Sequence, residues 1–201
     1  MSVTVVCIKW GCKYGPEYVH RLRNGVARNL KADHRFVCIT DDPVGLECET
    51  APIDSDYRGW WQKVTLFRRE PYGIKGWMLY LDLDVVVTGG LDVLLPVKGD
   101  FATIRDFCRP RTYSSSVMLL EAGSHPEVAE DITPVDMRRM RGDQDWISLK
   151  IRHADIWPHA WVRSYKQDYQ QEKVSPGTRL VVFHGEPKPH ECDGWVKETW
   201  R

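Results

Sequence analysis

The 201-residue chain has no excess of either charge, since Lys plus Arg and Asp plus Glu both total 28. Without net charge there is no long-range attraction to nucleic acid, an anionic membrane or a polyacidic partner, so binding must rest on local groups. No apolar run approaches the length of a membrane span, and the opening Met-Ser-Val-Thr-Val-Val-Cys-Ile-Lys-Trp lacks a basic start followed by a long apolar stretch. These absences predict a cytoplasmic protein with no transmembrane segment. Internal repeats and low-complexity segments are also missing, and the length suits one core, so a single domain over 1–201 is expected.

Six cysteines (Cys7, Cys12, Cys38, Cys48, Cys108, Cys192) come with no secretion signal, which favours free thiols over bridges. A zinc site drawing on Cys7, Cys12, His184, His190 and Cys192 matches no compact ligand spacing, and Cys7 lies in an apolar run where a small buried thiol is ordinary. GxxxxGK[ST] and GxGxxG are both absent, which removes the commonest phosphate loops.

What is present is an alternation. Residues 3–8 form a β-branched run; after a glycine-containing turn, Val19, Leu22, Val26 and Leu30 recur at helical spacing over 17–30. A strand at 35–40, a helix at 60–69 and a central strand at 77–87, apolar on both faces, continue the pattern. Strands at 101–104 and 116–120, helices at 126–140 and 144–152, and strands at 162–165 and 179–183 complete it. Strands alternating with helices predict an α/β fold with a mostly parallel central sheet. Residues 166–177 are polar and end in Ser-Pro-Gly, as expected of a long loop, and 186–201 are expected to wrap the surface as a C-terminal extension.

Asp82 and Asp84 interrupt the most apolar stretch. Within a strand, period-two geometry turns both carboxylates to one face, where they need a compensating cation. A hard divalent ion, Mn²⁺ or Mg²⁺, meets that need and binds diphosphate oxygens in turn. The alternative is a strand end where both acids meet water or cap a turn.

Tyr80-Leu81-Asp82-Leu83-Asp84-Val85-Val86-Val87 resembles the metal-binding segment of GT-A glycosyltransferases, especially the glycogenin-like and lipopolysaccharide galactosyltransferase-like (family 8-like) group. Further segments resemble the group in its order: Lys63 in Trp61-Gln62-Lys63-Val64, Ser114-Ser115-Ser116-Val117-Met118, Gly142-Asp143-Gln144-Asp145, and His184-Gly185-Glu186-Pro187-Lys188-Pro189. Serines replace the group's Asn and Gly in the second of these. In the last, Gly directly follows His, and His190 stands where Trp is usual.

The resemblance implies a single Rossmann-like GT-A domain and transfer of a sugar from a nucleotide-sugar donor, a UDP-sugar, with retention of anomeric configuration. It implies Asp82, Asp84 and His184 as metal ligands, with Asp82 also touching the donor. Lys63 and Ser115 are implied at the donor sugar and Lys188 at the diphosphate, with Trp10 or Tyr14 stacked on the base. It places Gln144 behind the reacting carbon, with Asp143 positioning it and Asp145 beside it. Inversion stays open at this point, because Asp145 or Asp143 could serve as a base. The acceptor, whether glycan, lipid-linked sugar or protein, is not specified. A nucleotidyltransferase and a non-catalytic sugar-nucleotide-binding module are the alternatives. The first lacks its glycine-rich N-terminal loop here, and the intact Asp82, Asp84, His184 and Lys188 set disfavours the second.

Overall fold

The computed structural model describes residues 2–169 and 174–201. Strand β1 (Val3–Lys9) turns at Gly11 into helix α1 (Pro16–Asn29). Pro16 opens the helix where its missing N–H would have had no partner, and Tyr18, Val19, Leu22 and Val26 bury one side. Strands β2 (His34–Thr40) and β3 (Glu49–Pro52) follow, then a 3₁₀ segment, Gly59–Phe67, in place of the expected α-helix. Next come β4 (Trp77–Leu81), β5 (Val85–Val87), β6 (Phe101–Arg105) and β7 (Tyr113–Glu121).

The helix expected over 126–140 is two short ones, α2 (Glu127–Glu130) and α3 (Pro134–Arg139), because Thr133 and Asp136 form a capping box that starts a new helix at Pro134. Helix α4 (Asp143–Lys150), β8 (Asp155–Ile156) and β9 (Val162–Ser164) come next. Of the loop expected over 166–177, the first part is a single π-turn (Tyr165–Tyr169), and residues 170–173 lie outside the described residues. Strand β10 (Leu180–Val182) and helix α5 (Trp195–Thr199) end the series.

Seven strands form one sheet in the order β3-β2-β1-β4-β7-β6-β8, all parallel except β7, which runs antiparallel to both neighbours. The mostly parallel α/β expectation holds. Such a sheet is covered on both faces. Val3, Val5 and Cys7 of β1 pack with Leu79 and Leu81 of β4 toward α1, while Val6, Met78 and Tyr80 pack with Trp61, Phe67, Trp146 and Ile147 on the other side.

The apolar run 77–87 is not one strand but two, in two sheets. Asp82 N–H still bonds Ser116 O at 2.9 Å; then Val85 N–H donates to Asp82 O at 3.1 Å and closes a turn. Beyond it β5 pairs antiparallel with β10, which pairs parallel with β9, as a separate three-stranded sheet. A run apolar throughout carries no periodicity to announce such a break. Asp82 and Asp84 therefore stand on a turn between two sheets, with Leu83 buried between them, rather than on one strand face. Helix α1 lies close on β5 because Gly25 meets Val87, where an added Cβ would come within 3.2 Å of its side chain.

Residues 186–201 lie across α1: Arg28 donates to Thr199 O and Arg201 O at 2.9 and 2.7 Å, and Trp200 packs against Tyr18. This extension buries Val196 and Trp200. The cysteines are free thiols, as expected. Among the described residues no helix is long and apolar enough to cross a membrane.

Candidate active site

The turn carrying the two acids sits at the C-terminal ends of β1 and β4, where open parallel sheets hold their ligands. Asp82 accepts from Lys63 Nζ, 2.9 and 3.0 Å from its two oxygens, and from Tyr80 Oη at 2.6 Å. Asp84 accepts from Lys188 Nζ at 2.5 Å and from Tyr14 Oη at 3.0 Å. Both lysines are buried, an expensive position for an ammonium unless it is paired. Burial alone lowers the Lys63 pKa, but Asp143 and Asp82 outweigh it and the net shift is upward. Burial and then Asp84 raise the Tyr14 phenol, so it stays a donor. Lys63 also donates to Ser115 Oγ at 3.2 Å, and Lys188 to Phe183 O at 3.0 Å.

Ser115 reaches this point through an irregularity in the sheet. Between Thr103 and Ile104 the β6–β7 register jumps from Met118 to Ser114, so residues 115–117 bulge beside the cleft. The serines standing in the group's Asn-x-Gly segment thus form a bend at the site.

At the first turn of α4, Asp143 is buried with Lys63 Nζ 3.8 Å from Oδ2, an oxygen that makes no hydrogen bond. Burial raises its pKa, against the opposing pull of Lys63 and the Ser115 hydroxyl. Gln144 Nε2 donates to Asp106 Oδ2 at 2.9 Å, and Asp145 accepts from Arg109 Nη1 at 2.5 Å. Asp143 and Gln144 line a lobe of about 260 Å³ with Trp60, Lys63, Arg109 and Arg141. A neighbouring lobe of about 350 Å³ holds Trp10, Tyr14, Asp82 and Asp84 and shares Trp60 and Lys63 with the first. The two lobes form one cleft.

His184, expected as third metal ligand, stacks on Phe107 at 5.6 Å, and its Nε2 lies 2.7 Å from Ser164 Oγ. Burial, then Lys166, push its pKa below the ordinary value, which keeps the imidazole neutral as a ligand must be. Gly185 takes φ 70°, with Lys166 Nζ 2.8 Å from where a Cβ would stand, so the glycine that departs from the family pattern is required by the loop. Among the described residues no three His, Cys, Asp or Glu side chains come together as a metal-binding group. The expected ligand set is thus drawn together only in part, as Asp82 and Asp84 on one turn. Two carboxylates and a neutral imidazole nonetheless suit Mn²⁺ or Mg²⁺, and the two ammonium groups already mark where those carboxylates demand positive charge.

Of the residues expected at the site, Lys63 gathers Asp82, Ser115 and Asp143 into one cluster and Lys188 holds Asp84 in a second, with Trp10 and Tyr14 lining the same cleft as the two acids. Gln144 and Asp145 stand next to it, bonded to the Asp106–Arg109 turn. Sequence reasoning missed that turn, along with Trp60 and Tyr80. The one available signal was Asp106-Phe107-Cys108-Arg109-Pro110-Arg111, an Asp and a Pro close together directly after a strand, which marks a structured turn without disclosing its partner.

No family model matches the sequence, and no curated protein matches it. Solved structures do match. The glycosyltransferase GlyE of Streptococcus pneumoniae TIGR4 superposes with a TM-score of 0.72 at 15% identity, over 98% of this chain and 59% of its own. The galactosyltransferase LgtC, solved with donor and acceptor sugar analogs, gives 0.71 at 13% identity over 98% and 93%. The bifunctional WbbM gives 0.64 at 13% over 94% and 46%. The chain spans about six-tenths of the GlyE structure's length. What these identities establish is shared architecture: this chain has the GT-A glycosyltransferase fold.

Proposed function

We propose that the chain is a glycosyltransferase that moves a sugar from a UDP-sugar to a hydroxyl acceptor, with retention, using Mn²⁺ or Mg²⁺. The observation that carries this reading is the paired arrangement at the cleft floor, where Asp82 and Asp84 stand on one turn and each is held by a buried lysine. Structural neighbours of the same fold are glycosyltransferases, one of them solved with donor and acceptor sugar analogs.

Asp82, Asp84 and His184 would hold the divalent ion, which supplies positive charge to the leaving diphosphate. Lys188 offers the diphosphate a second, fixed positive charge from a buried position. Lys63 and Ser115 face the donor sugar, and Trp10 or Tyr14 lies against the base. Gln144 lies behind the reacting carbon; one LgtC structure carries a glutamine-to-glutamate change at its active site, so a glutamine serves at the site of another protein with this fold. Retention is favoured because neither candidate base is free. Asp145 is bound by Arg109, and Asp143 is buried against Lys63.

The test is a thermal-shift screen of UDP-, GDP- and ADP-sugars with and without Mn²⁺, followed by donor hydrolysis. At a donor concentration 100-fold above Kd, binding contributes about 2.7 kcal/mol, a rise of roughly 5–10 °C for a chain this size. The expected result is a metal-dependent rise with UDP-sugars and release of UDP. No shift with any sugar nucleotide would remove the reading, and a shift without UDP release would leave a binding module.

A further inference from the structure

We propose that Asp106 is a positioning residue that decides which end of the Gln144 amide faces the reacting sugar. The inference rests on the reading that Gln144 stands at the anomeric carbon. Gln144 Nε2 lies 2.9 Å from Asp106 Oδ2. A carboxylate can only accept, so the end of the amide turned to Asp106 must be the N–H, and Oε1 is the end left for the cleft lobe that Gln144 lines. The two ends of a glutamine amide have nearly the same shape, and the terminal torsion is soft, so nothing in packing alone would choose between them. The choice has a chemical consequence. A carbon that gains positive charge as the bond to phosphate breaks is stabilised by a carbonyl oxygen and opposed by an N–H.

Asp106 is itself held for this task. Its Oδ1 accepts from the backbone N–H groups of Cys108 and Arg109 at 3.0 and 2.6 Å, a side-chain turn at the end of β6. Arg109 then reaches Asp145, and Phe107 stacks on His184, so both flanks of the turn are anchored to the site. With Oδ1 engaged by the turn, Oδ2 is the oxygen presented to Gln144. The turn joins the helix carrying Gln144 to the loop carrying His184, two segments that are not neighbours in sequence.

The decisive variant is Asp106→Asn, which keeps an oxygen for the turn but presents an N–H₂ to Gln144. The glutamine must then give its oxygen to Asn and turn its own N–H₂ toward the reacting carbon. Turnover of the UDP-sugar should fall on the order of 10–100-fold, about as far as in Gln144→Ala, while donor KM stays within about twofold, because the contact matters in the transition state. Adding Gln144→Glu to Asp106→Asn gives the side chain at 144 an acceptor oxygen at both ends, one to take the Asn N–H₂ and one to face the reacting carbon, so the double variant should be faster than Asp106→Asn alone, against additivity. A nitrogen-15 NMR measurement on the unmutated protein adds a check that needs no variant: one Gln144 side-chain amide proton should exchange slowly with solvent. Asp106→Asn at full rate while Gln144→Ala is impaired, a double variant no faster than Asp106→Asn, or two freely exchanging amide protons would each overturn the proposal. Full turnover in Gln144→Ala would instead remove the reading on which it stands.

Discussion

Asp82 and Asp84 are two residues apart, carry the same chemistry and belong to different neighbourhoods. Each has one lysine and one tyrosine. Asp82 takes them from Lys63, 19 residues away, and from Tyr80 on its own strand. Asp84 takes them from Tyr14 and Lys188, 70 and 104 residues away. The first acid belongs to the large sheet; the second ties the N-terminal β1–α1 loop to the late loop after β10. Their lysines differ as well: Lys63 stands among Asp82, Asp143 and Ser115, whereas Lys188 has Asp84 and a backbone carbonyl. A short acidic motif is therefore a seam between two bodies of the fold, and equal substitutions on either side of it should have unequal effects.

The largest effect should come from the acids. Asp84→Asn keeps the shape and removes a carboxylate, and should lower Mn²⁺-dependent UDP release on the order of 10²–10³-fold, with urea denaturation showing a folded protein. Asp82→Asn should cost turnover too, but also raise donor KM, since Asp82 is the acid assigned to touch the donor. Identical kinetic profiles for the two would erase the distinction drawn here.

The lysines come next. Lys63→Ala leaves two carboxylates without their shared partner and should destabilise the fold by about 3–5 kcal/mol in urea titrations. Lys188→Ala should cost less, about 1–3 kcal/mol, because only one carboxylate, Asp84, loses its ammonium partner there. Lys188→Ala should also weaken UDP binding while sparing uridine, which has no phosphate. A larger stability loss at Lys188 than at Lys63 would reverse the assignment of which lysine carries more of the charge balance.

Asp143 sharpens the comparison through pH. Burial holds its folded pKa above the ordinary value, so the folded state binds the proton more tightly than the unfolded one. The associated stability is complete below the unfolded pKa, about 3.9, and is lost as pH rises through the folded value. Asp143→Asn removes that penalty. It should melt higher than the unmutated protein at neutral pH, by about 2–4 °C per kcal/mol relieved, with the gap closing as pH falls toward the unfolded pKa, while turnover drops. A gap that widened on acidification would contradict the sign of the shift.

The smallest effect lies far from the seam. Thr133→Ala removes the capping box of α3 and should cost about 1 kcal/mol with turnover unchanged.

These contrasts also mark where sequence reasoning reached. β1, α1 and β2 were legible because β-branched runs and helical spacing state their geometry directly. β3, Glu-Thr-Ala-Pro at the edge of the sheet, was not, since an exposed edge strand need not be apolar. The turn at Leu83 was hidden for the opposite reason, every neighbour being apolar. At the site, the sequence singled out Asp82, Asp84, Lys63, Gln144 and Lys188, and the folded chain bonds the two lysines to the two acids and sets Gln144 in the lobe that Lys63 also lines. Asp106, Arg109 and Trp60 are brought to the cleft by contacts that only the folded chain creates, and nothing in their local sequence names a partner.

The spacing of the two lysines also orders the site in time. Lys63 and Asp82 are separated by a short loop, so their closure demands little chain entropy and can accompany pairing of β1 with β4. Lys188 meets Asp84 across 104 residues, from the loop that follows β10 where that strand pairs with β5. The proposed donor site would thus join a local pair to one that closes across 104 residues, and a nucleotide that needs both lysines is expected to bind only once the segment carrying Lys188 is in place.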